Sequence, residues 1–182
     1  MSLIAIEGCD GVGKTSLAKE LSKVTGWPVI DIFGNNKLEH RKLNKELDMS
    51  INTIHDDMYF MDIWLRLGRP SCILDRTFVS GMIYGNHDLF PLEYLDRRLR
   101  EYNEEMLFIF MRAEIETIIE RDRAWKGREQ RLKKLKSKFN NSYHLLSFRN
   151  FQTMLLDSDN FSAEQLAQHV LEEVEDGFYQ SS

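Results

Sequence analysis

The chain has 182 residues, 42% of them hydrophobic, and a formal net charge of −5 at pH 7. That length and apolar fraction suit a single α/β domain spanning 1–182, and the absence of any Gly/Ser-rich run leaves no linker to divide it. The acidic balance argues against a surface built for nucleic acid, and the longest apolar runs are strand-sized, far short of the ~20 residues of a membrane span. The first residues enter a strand without a basic leader, and Cys9 and Cys72 read as reduced thiols, so a cytoplasmic protein is expected.

In chain order, Leu3–Glu7 is a short apolar run ending at glycine and reads as a buried strand. Residues 14–24 place Leu17, Ala18, Leu21 and Val24 at helical spacing, with Gly26 to close the helix. A brief strand is expected over 29–32, then helices over 38–47 and 55–67, the second with a Met58/Met61/Leu65 stripe. The apolar run 72–74 is stopped by Asp75, and helices are expected near 79–84 and 92–102. Residues 106–111 read as a strand and 115–123 as a helix. A long basic-to-amphipathic helix follows over 128–146, with Asn140 and Asn141 as the point where it would break. A last strand over 151–156 precedes a helix capped by Ser162 and running to about 175. Alternation of this kind implies a parallel sheet covered by helices on both faces, with ligands at the carboxyl ends of the strands.

Gly8-Cys9-Asp10-Gly11-Val12-Gly13-Lys14-Thr15 is a full G-x-x-x-x-G-K-T match, with Ser16 following on the helix. Its glycines let successive backbone N–H groups turn inward around phosphate oxygens, and the helix start adds its positive dipole end. Lys14 is expected at the β- and γ-phosphates of ATP, and Thr15 at Mg²⁺. Asp75 ends the next buried strand, where a carboxylate meets Mg²⁺ or its waters, and Arg76 beside it offers a planar fork to an acceptor phosphate. The basic stretch from 121 to 138 reads as two parts. Arg121, Arg123 and Arg128 flank Lys126-Gly127 and are candidates for a flap that closes over the transferring group. Lys133, Lys134, Lys136 and Lys138 read as a solvated helix face.

With these signals in order, the chain resembles thymidylate kinase and its nucleoside-monophosphate kinase relatives. Residues 7–15 resemble that family's E-G-x-[DE]-x-x-G-K-[ST] start, and Asp75-Arg76-Thr77-Phe78-Val79-Ser80 with Tyr84 resembles its D-R-[YHF]-x-x-S…Y segment. The resemblance implies a three-layer P-loop kinase fold, with a five-stranded parallel sheet and a LID at about 121–131. It implies ATP and Mg²⁺ as cofactors, a nucleotide as small-molecule partner, and a homodimer. By the same resemblance Asp10 contacts the acceptor sugar and Arg76 grips its monophosphate. Phe60 stacks on its base, while Ser80 and Tyr84 complete the acceptor pocket. Three positions depart from the pattern. Trp64 stands where the family has a base-reading arginine, residues 33–37 replace a loop with a phosphate-binding arginine, and Thr77 replaces an aromatic. These departures loosen the link to thymine and leave the kinase reading in place.

The expected reaction is phosphoryl transfer from Mg·ATP to a (deoxy)nucleoside monophosphate, most simply a pyrimidine such as dTMP or a modified dUMP. A deoxynucleoside kinase is the neighbouring alternative; it needs a base for the 5′-hydroxyl, and Asp31 at the end of the second strand qualifies. A kinase acting on bases in DNA is a third, carried by the basic flap. A GTP-binding switch lacks both the guanine-reading N-K-x-D in the right place and a D-x-x-G after a strand. The five histidines share no metal-ligand spacing.

Overall fold

The structure is a computed structural model that describes residues 3–30, 71–85, 97 and 106–179. Five strands form one sheet: β1 (Leu3–Glu7), β2 (Val29–Ile30), β3 (Cys72–Asp75), β4 (Met106–Arg112) and β5 (Gln152–Asp157). All pairings are parallel, in the order β2-β3-β1-β4-β5. β1 and β3 are buried at every residue and β4 at all but its last, as expected of central strands covered on both faces. The five-stranded sheet matches the P-loop kinase fold.

The helices are α1 (Lys14–Thr25), α2 (Phe78–Gly85), α3 (Ile115–Arg121), α4 (Glu129–Phe148) and α5 (Ala163–Tyr179). α1 buries Leu17, Ala18 and Leu21, and ends at Gly26, whose left-handed conformation lets its N–H reach the carbonyl of Ser22 at 2.9 Å. α5 packs on α1, whereas α4 packs on β4, β5 and α2. Chain travel from β1 runs toward one sheet edge, and from β3 and β4 toward the other. With right-handed crossovers, that reversal places α1 and α4 on opposite faces. A crevice therefore opens at the carboxyl end of β1.

Two expectations are corrected here. α4 runs unbroken through Asn140 and Asn141, because Phe139, Tyr143 and Leu146 keep its apolar stripe on the core while both asparagines face solvent. The helix expected over 115–123 stops at Arg121. Asp122 turns to extended backbone there, and its carboxylate caps a short 3-10 turn, Arg123–Trp125, by accepting from the N–H of Ala124 at 3.1 Å. No described helix is long and apolar enough to cross a membrane.

Candidate active site

β1 delivers its last residue, Glu7, directly into the glycine-rich loop. At two of its glycines the loop is pressed closely against its neighbours. A Cβ at Gly8 would lie 2.5 Å from the carbonyl oxygen of Met111, and one at Gly11 would lie 3.0 Å from Ile118 on α3. Gly11 and Gly13 have φ of 86° and 96°, left-handed values that favour glycine. Gly13 also begins α1 without a side-chain cap, so the first helical N–H groups are left for a ligand. Lys14 is buried, and its ammonium donates to the carbonyl of Cys9 at 2.6 Å. Burial, with the nearby Arg76 charge adding to it, pushes Lys14 down to about 8, while Asp10, Asp75 and Glu7 pull the other way.

The end of β3 brings Asp75 to the start of α1. Thr15 Oγ1 donates to Asp75 Oδ2 at 2.6 Å, and Asp75 Oδ1 is buried without a hydrogen-bond partner. A buried carboxylate oxygen lacking a partner beside a hydroxyl is a donor set that suits Mg²⁺, a hard cation that keeps several waters and takes few protein ligands. The residues present therefore fit the ion. Among the described residues no cluster of three His, Cys, Asp or Glu side chains could hold a metal on its own.

Arg76 follows in a left-handed conformation, φ 81°, unusual for a residue with a Cβ. Its N–H still donates to the carbonyl of Ile6 at 3.0 Å, so the strain sits where the sheet ends and α2 begins. The guanidinium forms an ion pair with Asp10, donates to Ser80 Oγ at 3.2 Å, and lies 5.6 Å from the centroid of the Tyr84 ring. Beneath it, Glu7 is fully buried. Glu7 Oε1 accepts from the N–H and the hydroxyl of Thr77, both at 2.6 Å, and Oε2 accepts from Ser80 Oγ at 2.5 Å. Burial raises the Glu7 carboxyl, opposed by hydrogen bonds from Ser80 and Thr77 and by the charge of Arg76.

The basic segment divides differently from the sequence reading. Arg121 is tied down: it donates to the hydroxyl of Ser158 at 2.9 Å and to its carbonyl at 2.6 Å. Arg123 and Arg128 are exposed. Lys136 and Lys138 do not lie on a solvated face, since their ammonium groups donate to the carbonyls of Ala113 and Ile83 at 2.5 and 3.3 Å. Lys136 also lines a cavity of about 460 Å³ beside the phosphate loop, together with Cys9, Val12, Phe110, Phe139 and Asp157. That volume falls within the range of small-molecule sites.

The structure thus brings together Gly8, Asp10, Gly11, Val12, Gly13, Lys14, Thr15, Asp75, Arg76, Ser80 and Tyr84. Ser16 is exposed on the first turn of α1. Phe60 and Trp64 lie outside the described residues, as do Asp31 and the loop 33–37. Sequence reasoning gave no role to Glu7, Thr77, Lys136 or Ser158. An acidic residue closing an otherwise apolar buried strand was the available signal for Glu7.

A glycine cradle on a helix start, a buried lysine and a threonine on that helix paired with an aspartate at a strand end define a P-loop nucleotide-binding protein. The chain belongs to the AAA domain family, whose model matches residues 3–161. No curated protein matches it in sequence. Among solved structures it is similar to the YorR protein of Bacillus subtilis in complex with phosphorylated GDP, at 18% identity and a TM-score of 0.68, covering 97% of this chain and 98% of that one. It is similar to thymidylate kinase from Candida albicans, at 20% identity and a TM-score of 0.67, covering 97% and 92%. Deoxyadenosine kinase from M. mycoides with bound dATP is 20% identical, with a TM-score of 0.61 over 94% and 98%. At these identities the likeness is one of fold.

Proposed function

We propose that the chain is an ATP-dependent kinase that transfers the γ-phosphoryl group to the phosphate of a deoxynucleoside monophosphate, a pyrimidine nucleotide in the simplest case. The observation that carries this reading is Arg76. Its guanidinium is held beside the phosphate loop by Asp10, Ser80 and Tyr84, one residue beyond the carboxylate that meets Thr15. A planar cation fixed there suits a second phosphate, brought next to the one held by the loop. The similar solved structures bind or act on nucleotides and nucleosides by their names, which supports the same substrate class.

In the proposed reaction an acceptor phosphate oxygen forms a bond to the γ-phosphorus while the bond to the β–γ bridging oxygen breaks, leaving ADP and a nucleoside diphosphate. The acceptor phosphate is already ionised near neutral pH, so no strong base is required. The loop N–H groups and Lys14 hold the donor phosphates. Thr15 and Asp75 would hold Mg²⁺, which when bound neutralises charge on the phosphate oxygens. Arg76 orients the acceptor phosphate, and Arg123 or Arg128 supplies cationic charge from the flap.

One observation favours a second reading. The Asp10 side chain is 43% exposed at the phosphate loop, so in a nucleoside complex it can exchange its pairing with Arg76 for the 5′-hydroxyl and take its proton. A coupled ADP-release assay with Mg·ATP separates the two. We expect turnover with a pyrimidine deoxynucleoside monophosphate or hydroxymethyl-dUMP, and none with thymidine or deoxycytidine. Turnover restricted to nucleosides would transfer the case to the second reading. Lys14→Ala should lower kcat by about 10²–10³-fold or more, and wild-type turnover in that variant would refute the mechanism.

A further inference from the structure

Arg76 needs something to hold both its left-handed backbone and its side chain, and the groups around it form one continuous chain of hydrogen bonds. The left-handed φ of 81° is strained for a residue with a Cβ and persists only where its surroundings over-determine it. Glu7 supplies that determination from β1. Its carboxylate accepts the N–H of Thr77 at 2.6 Å and approaches that of Ser80 at 3.4 Å, two donors at the start of α2 that would otherwise be orphaned. It thereby fixes the backbone immediately after Arg76. Thr77 matters in its own right, since its hydroxyl donates to Glu7 and also accepts from the N–H of Val79 at 3.3 Å.

The side chain is fixed by the same carboxylate. Ser80 Oγ lies 2.5 Å from Glu7 Oε2 and 3.2 Å from Arg76 Nη1. The guanidinium can only donate, so the serine oxygen must accept from Arg76 and spend its single proton on Glu7. An ionised carboxylate can only accept, so it enforces that orientation. We infer that Glu7 is a positioning residue for the phosphate-gripping arginine, acting through Thr77 on its backbone and through Ser80 on its guanidinium. The role as an acceptor-phosphate device rests on the kinase reading above; the mechanical link from Glu7 to Arg76 does not.

Glu7→Gln keeps the shape and one carbonyl oxygen, which can still cap α2 at Thr77. It replaces Oε2 by an NH₂ group that donates to Ser80 instead of accepting its proton, so the hydroxyl loses the partner that fixes its orientation and its oxygen is shared between Arg76 and a second donor. With Mg·ATP and the accepted monophosphate, Glu7→Gln should raise the acceptor KM by about tenfold or more and move the ATP KM by less than about twofold. Ser80→Ala should do the same, and the double variant should be no worse than the single ones, as expected of residues acting through one contact. Fully additive losses, an unchanged acceptor KM, or an equal rise in both KM values would overturn the inference. A second readout needs no turnover. The Nη–H resonances of Arg76, identified by their loss in Arg76→Lys, should be resolved in the wild type and merge through faster rotation in Glu7→Gln. If no acceptor is turned over by the wild type, the kinase reading fails alone and these resonances still decide on Glu7; unchanged resonances would refute the link.

Discussion

The ammonium of Lys14 is withdrawn from solvent and rests on the carbonyl of Cys9, where burial and the charge of Arg76 bring its pKa from 10.5 to about 8. A lowered lysine pKa means the native state holds its proton less tightly than the unfolded chain. Between pH 8 and 10.5 the unfolded chain keeps a proton that the native one has lost, so stability rises with pH through that window. Below it the charged lysine destabilises the unliganded fold, by an amount on the order of 3 kcal/mol at about 1.4 kcal/mol per tenfold in proton affinity. Lys14→Met should therefore raise the Tm of the unliganded protein by several degrees at pH 7 while abolishing phosphoryl transfer. A Tm lowered by the substitution would show that the lysine is not under that strain. At this scale much of the site is legible: a motif fixes which residues carry donors and at what spacing, so Lys14, Thr15 and Arg76 stand out in the sequence. Glu7 shows there only as the acidic residue that closes an apolar strand and opens the motif; its role comes from what β3 and α2 bring over it, contacts more than seventy residues away along the chain.

Where α3 gives way to the 3-10 turn, the basic segment divides into one arginine fastened by hydrogen bonds and others exposed to solvent. Arg121 is fastened to Ser158, just beyond β5, and Ser158 Oγ in turn lies 3.2 Å from the carbonyl of Arg112 at the end of β4. That arrangement joins α3 to the sheet and leaves Arg121 an anchor. Arg128 stands exposed at the start of α4. Arg121→Ala should lower stability by about 1–2 kcal/mol through the lost hydrogen bonds. Arg128→Ala should change stability by less than ~0.5 kcal/mol, as surface substitutions do, yet lower kcat by about 10²-fold. Thermal unfolding and steady-state rates on both variants check this, and the reverse pattern would move the cation of the proposed flap to Arg121. Spacing identifies such arginines as basic and near a helix break, but it carries no information on tertiary partners. The same limit hid Lys136 and Lys138, which read as a charged surface stripe and instead donate to carbonyls of the sheet end and of α2.

Across the molecule, the alternation of apolar runs shows that a parallel sheet exists but not which strands touch, because periodicity reports faces and not neighbours. The observed order places β3 directly beside β1, with Ile6 opposite Asp75. That register is what joins Thr15 and Asp75, sixty residues apart, at 2.6 Å. Nucleotide binding should therefore stabilise the whole sheet centre, since the loop, α1 and the end of β3 are engaged together. Saturating Mg·ATP at about 100 times its Kd should add ~2.7 kcal/mol to the free energy of unfolding, a rise of several degrees in Tm. Asp75→Asn keeps the size of the side chain and one oxygen but removes the charge that suits the cation. Its Tm shift with ATP in EDTA should match that of the wild type, and the further gain on adding Mg²⁺ should shrink or vanish. A full Mg²⁺-dependent gain in Asp75→Asn would place the ion's protein ligands elsewhere and detach the orphaned Oδ1 from metal binding.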